Sequence, residues 1–124
     1  MNKIEDFKLE LDMHKFTWKY NGEMKEKQFL HKMNSGIELL DKSGFAVVGS
    51  LEEFGKSNAM LMNADGTIRA QLRIPESLSD AICFYEIYYV YQELTGIIVC
   101  RYGSDFSCMI DESTGECSKI HETR

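Results

Sequence analysis

The sequence predicts a mainly β protein, with antiparallel meander sheets arranged as an incomplete (half) β-propeller of two to three blades. Three observations carry this. Apolar residues alternate with polar ones at period two rather than 3.6. Turn residues punctuate the apolar runs at short intervals. The chain also repeats itself weakly: Gly44-Phe45-Ala46-Val47-Val48 matches Gly96-Ile97-Ile98-Val99-Cys100 52 residues later, and the Asn63–Gly66 turn matches Asp111–Gly115 49 residues later. A closed propeller needs at least four blades, and 124 residues are too few for one, which gives the open form.

Phe7, Leu9, Leu11 and Met13 alternate with Lys8, Glu10 and Asp12, as a strand with one buried face requires. Phe16, Trp18 and Tyr20 form a second strand that runs directly into Asn21-Gly22, a dipeptide that accepts the positive φ angles of a tight hairpin. The return strand starts at Glu23. A helix over Glu23–Met33, capped by Asn21 and stopped at Gly36, competes with it. Ile37–Leu40 leads through Asp41-Lys42-Ser43-Gly44 into Phe45–Val48. Ala59–Met62 leads through the Asn63–Gly66 turn into a strand over Thr67–Ile74, with Ile68, Ala70 and Leu72 on one face. Pro75 ends that strand. Ile82–Leu94 is apolar on both faces, as in a strand buried between layers; a helix over Ser79–Gly96 is the alternative. Thr95-Gly96 turns into Ile97–Tyr102, and Asp105–Ile110 and Glu116–Glu122 close the second meander. The organisation is one domain, 1–124, with an N-terminal hairpin region at 1–36 and four-stranded units at 37–75 and 76–124.

Fourteen basic and twenty acidic residues give a net charge of −6. Nucleic acid is bound chiefly by Lys and Arg neutralising phosphates, so neither nucleic acid nor an anionic membrane is an expected partner. An acidic surface suits a basic protein, whose encounter it steers. Met1–Phe7 carries no apolar targeting segment and no run spans a membrane, so a cytoplasmic location is expected. Cys83, Cys100, Cys108 and Cys117 are spaced 17, 8 and 9 apart, which is no zinc pattern. They read as free thiols serving as small buried hydrophobes.

No catalytic signature emerges. His14, His31 and His121 supply residues for acid–base chemistry, but no motif links them, and they read as solvated histidines at element ends. Asn63-x-Asp65-Gly66 begins a calcium loop that Thr67-Ile68-Arg69 breaks. No G-x-S-x-G motif is present. Asp111-Glu112 reads as a polar turn. Tyr85, Tyr88, Tyr89 and Tyr91 divide between core and interface. No cofactor and no metal are expected.

In an up-and-down meander, alternate connections share one end. The Ser50–Asn58, Pro75–Ala81 and Tyr102–Asp105 loops therefore gather Glu52, Glu53, Glu76, Asp80 and Asp105 into the candidate partner-binding site, opposed only by Lys56. The other end carries Asp41, Asp65, Asp111, Glu112 and Glu116 on shorter turns.

Asp65-Gly66-Thr67-Ile68-Arg69 in the first unit, and Gly96-Ile97-Ile98-Val99, Asp105-Phe106 and Ile110–Gly115 in the second, give a chain that resembles small cytoplasmic immunity proteins of bacterial toxin systems, such as those of contact-dependent growth inhibition. Some of these have an incomplete β-propeller form. The likeness is diffuse, covers Ile37–Arg124, and brings no binding motif to carry over. It implies a non-enzymatic, stoichiometric inhibitor of a cognate toxin domain, often a nuclease, that covers the active site or substrate surface and is a monomer or weak homodimer alone. Two other readings stay open: a small hydrolase or nuclease using the histidines, and a β protein that self-associates through an open sheet edge.

Overall fold

The computed structural model describes residues 3–123. Met1, Asn2, Arg124 and the side chain of Leu11 lie outside the described residues. Three open antiparallel sheets are formed. The first contains β1 (Ile4–Glu10), β2 (Lys15–Tyr20) and β3 (Glu23–Gln28). The middle sheet contains β4 (Ser35–Glu38), β5 (Gly44–Val48), β6 (Ala59–Asn63) and β7 (Ile68–Gln71). The last contains β8 (Ala81–Val90), β9 (Glu93–Cys100), β10 (Phe106–Ile110) and β11 (Cys117–Glu122). Each sheet follows chain order, and one short helix, α1 (Leu51–Phe54), lies between β5 and β6.

Alternation within β5 and β6 decides the stacking. Phe45, Val47, Met60 and Met62 face the first sheet and pack with Phe16, Trp18, Phe29 and Ile4. Their neighbours Ala46, Val48, Ala59 and Leu61 pack with Phe84, Ile87, Leu94 and Ile98 of the last sheet. The middle sheet is thus covered on both faces, and all five residues of β5 are buried. Phe45 stands at the centre of an aromatic cluster, 4.7 Å from the Trp18 ring and 5.7 Å from Phe16. The Trp18 indole N–H donates to the Ala64 carbonyl at 2.8 Å, so its polar edge is satisfied where it is buried.

Asn58 joins the middle and last sheets. Its side chain is fully buried. Its amide donates to the Gly49 carbonyl at 2.9 Å and the Phe84 carbonyl at 2.8 Å, and its oxygen accepts from the Phe84 N–H at 2.8 Å. Phe84 lies on β8, an edge strand. The amide therefore occupies the place a neighbouring strand would take and satisfies that stretch of edge.

Glu23–Gln28 is a strand, not a helix, and pairs with β2 across Asn21-Gly22, both at positive φ. It is an edge strand rich in Lys and Glu, which disfavours pairing with other chains. The strand expected to reach Met13 stops at Glu10, where a 3-10 turn begins. The long run over Ile82–Leu94 is two strands, not one. Its turn falls at Tyr91-Gln92, with Tyr91 at φ 60°, while Thr95-Gly96 lies inside β9. Gly96 serves close packing there, because a Cβ would meet the Ile110 side chain. β8 is an edge strand with one face open, and the strand buried between layers is β5.

Bulges change which side chains share a face. The β6–β7 register skips Arg69, so Ile68 pairs with Met62 and Ala70 with Leu61. Ile68 is consequently exposed while Leu72 is buried. A second skip at Tyr85 lets Phe84 and Ile87, three apart, both enter the core.

The four cysteines are free, with Cys83 and Cys108 buried and the other two half-buried. Cys117 and Cys108 share a hydrogen bond, which holds the Cys108 thiol below its usual range and pushes that of Cys117 up.

Candidate functional site

The three longer connections meet at one end of the last sheet. The Asp80 carbonyl accepts from Arg101 N–H at 3.0 Å, and its carboxylate accepts from Tyr102 N–H at 3.1 Å. Asp80 thus ties its own loop to the one after β9. Helix α1 closes the third side. The Ser50 hydroxyl oxygen caps it by accepting from Glu53 N–H at 3.1 Å, and Gly55 ends it at φ 69°. Leu51, Lys56, Asp80, Ile82, Arg101 and Tyr102 line a hollow of about 460 Å³. Tyr102 is 82% exposed, Leu51 is also exposed, and the Arg101 guanidinium lies 6.0 Å from the Tyr102 ring centroid. Burial pushes the neighbouring Cys100 thiol up, and the Asp80 and Asp105 carboxylates add to this.

The five expected acids have different roles. Glu52 is exposed, with a carboxylate oxygen 4.0 Å from His31 Nδ1. The Glu53 carboxylate accepts from Leu30 and His31 N–H at 3.0 and 3.1 Å, so it anchors that segment to α1. The Asp80 carboxylate is held by the Tyr102 N–H, and the Asp105 carbonyl accepts from Thr123 N–H at 2.8 Å and from the Thr123 hydroxyl at 3.0 Å. Glu76 stands apart from them. It borders a separate hollow with Gln71, Arg73 and the Thr114–Cys117 segment, at the far end of β10.

The short-turn end is internally tied. Arg69 donates through Nε to Asn63 Oδ1 at 2.7 Å, through one terminal nitrogen to the Glu112 carbonyl at 2.9 Å, and through the other to the Ser43 carbonyl at 3.1 Å. One guanidinium thereby joins three turns. Burial pushes the Tyr89 hydroxyl up to about 12 while that oxygen accepts from Leu40 N–H at 3.0 Å. The acids here already accept from their own turns: Asp65 from Thr67 and Asp111 from Ser113 and Thr114.

A second polar pair lies on the outer face of the last sheet. Ser107 Oγ is 3.0 Å from His121 Nε2, and His121 Nδ1 is 3.2 Å from the Lys119 carbonyl. A carbonyl can only accept, so Nδ1 carries the proton and Nε2 accepts from the serine hydroxyl. A nucleophile and a base are thus adjacent, oriented by a backbone carbonyl rather than a carboxylate. His14 and His31 lie elsewhere, at the β1–β2 connection and beside α1.

Sequence reasoning overlooked Leu51, Arg101 and Tyr102. An aromatic and a cation in the Gly-Ser loop after β9 were the available signal for the last two. The Ser107–His121 pairing depends on the β10–β11 register, which no local pattern encodes. Among the described residues no group of three or more His, Cys, Asp or Glu is placed to hold a metal, and no helix is long and apolar enough to cross a membrane. No protein-family model, curated protein or solved structure matches the chain.

Proposed function

We propose that this chain is a non-enzymatic, cytoplasmic protein of the immunity type, which neutralises a cognate toxin domain by covering a basic active site or substrate surface. The three stacked sheets are read as blades of an incomplete propeller, with the long-loop end as the binding surface. The observation that supports this most is the composition of that end. An exposed tyrosine and arginine, the residue types enriched at interface centres, line the hollow together with the exposed Leu51, with Asp80 and Lys56 beside them and Glu52 next to Leu51 on α1. A basic partner is steered by the acids and held by the aromatic and apolar centre.

The test has two steps. A tagged chain is expressed in its native host, and whatever survives a salt wash is identified. A single partner with a basic catalytic domain, whose activity falls to zero at one equivalent of this chain, is expected. Association is then timed for Glu52→Lys with Asp105→Lys. Both spare Asp80 and Glu53, whose carboxylates hold the backbone. The on-rate should fall roughly ten-fold at low salt, with circular dichroism unchanged. Loss of the partner, or an unchanged on-rate, overturns the proposal.

A second reading, a small serine hydrolase, is favoured by one observation, the Ser107–His121 distance of 3.0 Å. Labelling of Ser107 by a fluorophosphonate, abolished in His121→Ala, would establish it; absence of labelling in the native chain would exclude it.

A further inference from the structure

We propose that the outer face of the last sheet is a self-association surface whose occupant is a second copy of this chain, related by a twofold axis parallel to the strands. The two outermost sheet faces differ in chemistry. The outer side of the first sheet presents Lys8, Glu10, Thr17 and Lys19 around the exposed Met24, a mostly polar and charged surface. The outer side of the last sheet presents Tyr88, Val90, Ile97 and Met109, with Tyr88 and Val90 both exposed. Tyr88, Val90 and Met109 border a hollow of about 360 Å³ with Lys119 and His121. Such a face is what a stacking partner would cover.

Charge chooses the occupant and its orientation. One cross-strand row on this face reads Glu86, Ile97, Ser107, His121, running from β8 to β11. Lys119 flanks the basic end, and Glu93 flanks the acidic end. The face is therefore acidic at the β8 edge through Glu86 and basic at the β11 edge through Lys119, where His121 is a neutral hydrogen-bonding group. A twofold axis parallel to the strands sets β8 of one copy over β11 of the other. Glu86 then faces the β11 edge where Lys119 supplies the positive charge, twice per dimer. A twofold axis across the strands would set Glu86 against Glu86, which like-charge repulsion opposes. The face is thus self-complementary in one of its two face-to-face dimers. Four strands about 4.8 Å apart and about five residues long give a footprint near 19 by 17 Å. That is about 320 Å² per copy and about 650 Å² in all, below the roughly 1,200 Å² at which stable interfaces begin, so only a weak dimer is expected.

Sedimentation velocity on the full chain, from about 1 μM to about 1 mM, tests this. A concentration-dependent dimer is expected. Glu86→Lys and Lys119→Glu should each raise its dissociation constant roughly ten-fold, since each breaks two equivalent pairs. Both residues are exposed, so circular dichroism should stay unchanged. The double exchange E86K/K119E rebuilds the pairs in reverse and should return the constant to within about three-fold of the native value. A monomer throughout the range, a dimer indifferent to the single reversals, or a double variant no better than either single would each overturn the proposal.

Discussion

Replacing Asn58 with alanine should cost more than any other exchange of a polar side chain for alanine in the interior. Truncation removes three hydrogen bonds and leaves the Phe84 N–H, the Phe84 carbonyl and the Gly49 carbonyl without that partner. The site is fully buried, so water does not replace the amide without opening the sheet contact. A buried donor or acceptor left unmatched costs about 1–3 kcal/mol. The Phe84 N–H bears the largest share, because each of the two carbonyls retains a second lone pair. The sum is about 3–5 kcal/mol, a large share of the roughly 5–15 kcal/mol that holds a domain of this size together. Urea titration followed by circular dichroism measures the change. Hydrogen exchange at the Phe84 amide localises it, since that proton should lose protection before its neighbours on β9. A loss below about 1 kcal/mol, or an unchanged Phe84 amide, would refute the bridging account.

Asn58→Asp separates hydrogen-bond chemistry from shape. The new carboxyl keeps the acceptor for Phe84 N–H but faces two carbonyl oxygens, to which only its protonated form donates. Its pKa in the folded chain should therefore rise above the unfolded value. A raised pKa means that the variant's stability is fully present below the unfolded carboxyl value near 3.9 and is lost as pH rises through the folded one. The gap between native chain and variant should widen from pH 4 to pH 7. A gap independent of pH would show that the carboxyl does not face those carbonyls.

Two further outcomes follow from the turns. Asp111 is held down to about 2, first by the Ser113 hydroxyl and then by the Ser113 and Thr114 N–H groups. A lowered pKa gives stabilisation that is present above the ordinary value near 3.8 and is lost as pH falls through about 2. The Asp111 carboxyl should titrate near 2 by NMR, and the stability difference from Asp111→Ala should shrink between pH 4 and pH 2. Gly44→Ala should cost about 2–3 kcal/mol in the same urea titration, because its Cβ would collide with the Met62 backbone carbonyl inside the middle sheet. Gly103→Ala, with open space around it, should be near neutral.

How far the sequence could be read depended on how local each determinant was. The Phe16-Thr17-Trp18 alternation and the Asn21-Gly22 turn lie within seven residues, and both stand as read. Gly44–Val48 and Gly96–Cys100, matched as a repeat, both fall in the second strands of their sheets. The misread turn at Thr95-Gly96 has a non-local cause. Glycine there answers to Ile110 on β10, whereas Tyr91 takes the positive φ that glycine usually supplies. Bulges at Arg69 and Tyr85 broke the period-two reading in the same way, since a register skip belongs to a strand pair and not to one strand. For the candidate site, loop parity put the Asp80 loop and the loop after β9 at one end, where the Asp80 carboxylate accepts from Tyr102 N–H. It did not separate surface acids from acids that bind backbone, such as Glu53, nor did it place Glu76 beside the Thr114–Cys117 segment.

The two proposed surfaces bear on each other through the symmetry axis. Rotation about an axis parallel to the strands exchanges the sheet edges but not the strand ends. Both copies of a dimer would therefore carry their long-loop ends on the same side. Two sets of Tyr102, Arg101 and Leu51, each with Glu52, Asp80 and Asp105, would form one broad acidic surface without either site being covered. A partner that is itself dimeric would gain from binding both, because the second contact forms at an effective concentration near the millimolar range. A monomeric partner would gain nothing. The charge reversals on the outer sheet face should then leave affinity for a monomeric partner unchanged and weaken binding of a dimeric one. That contrast distinguishes a surface built for a pair of toxin domains from a dimer with no part in recognition.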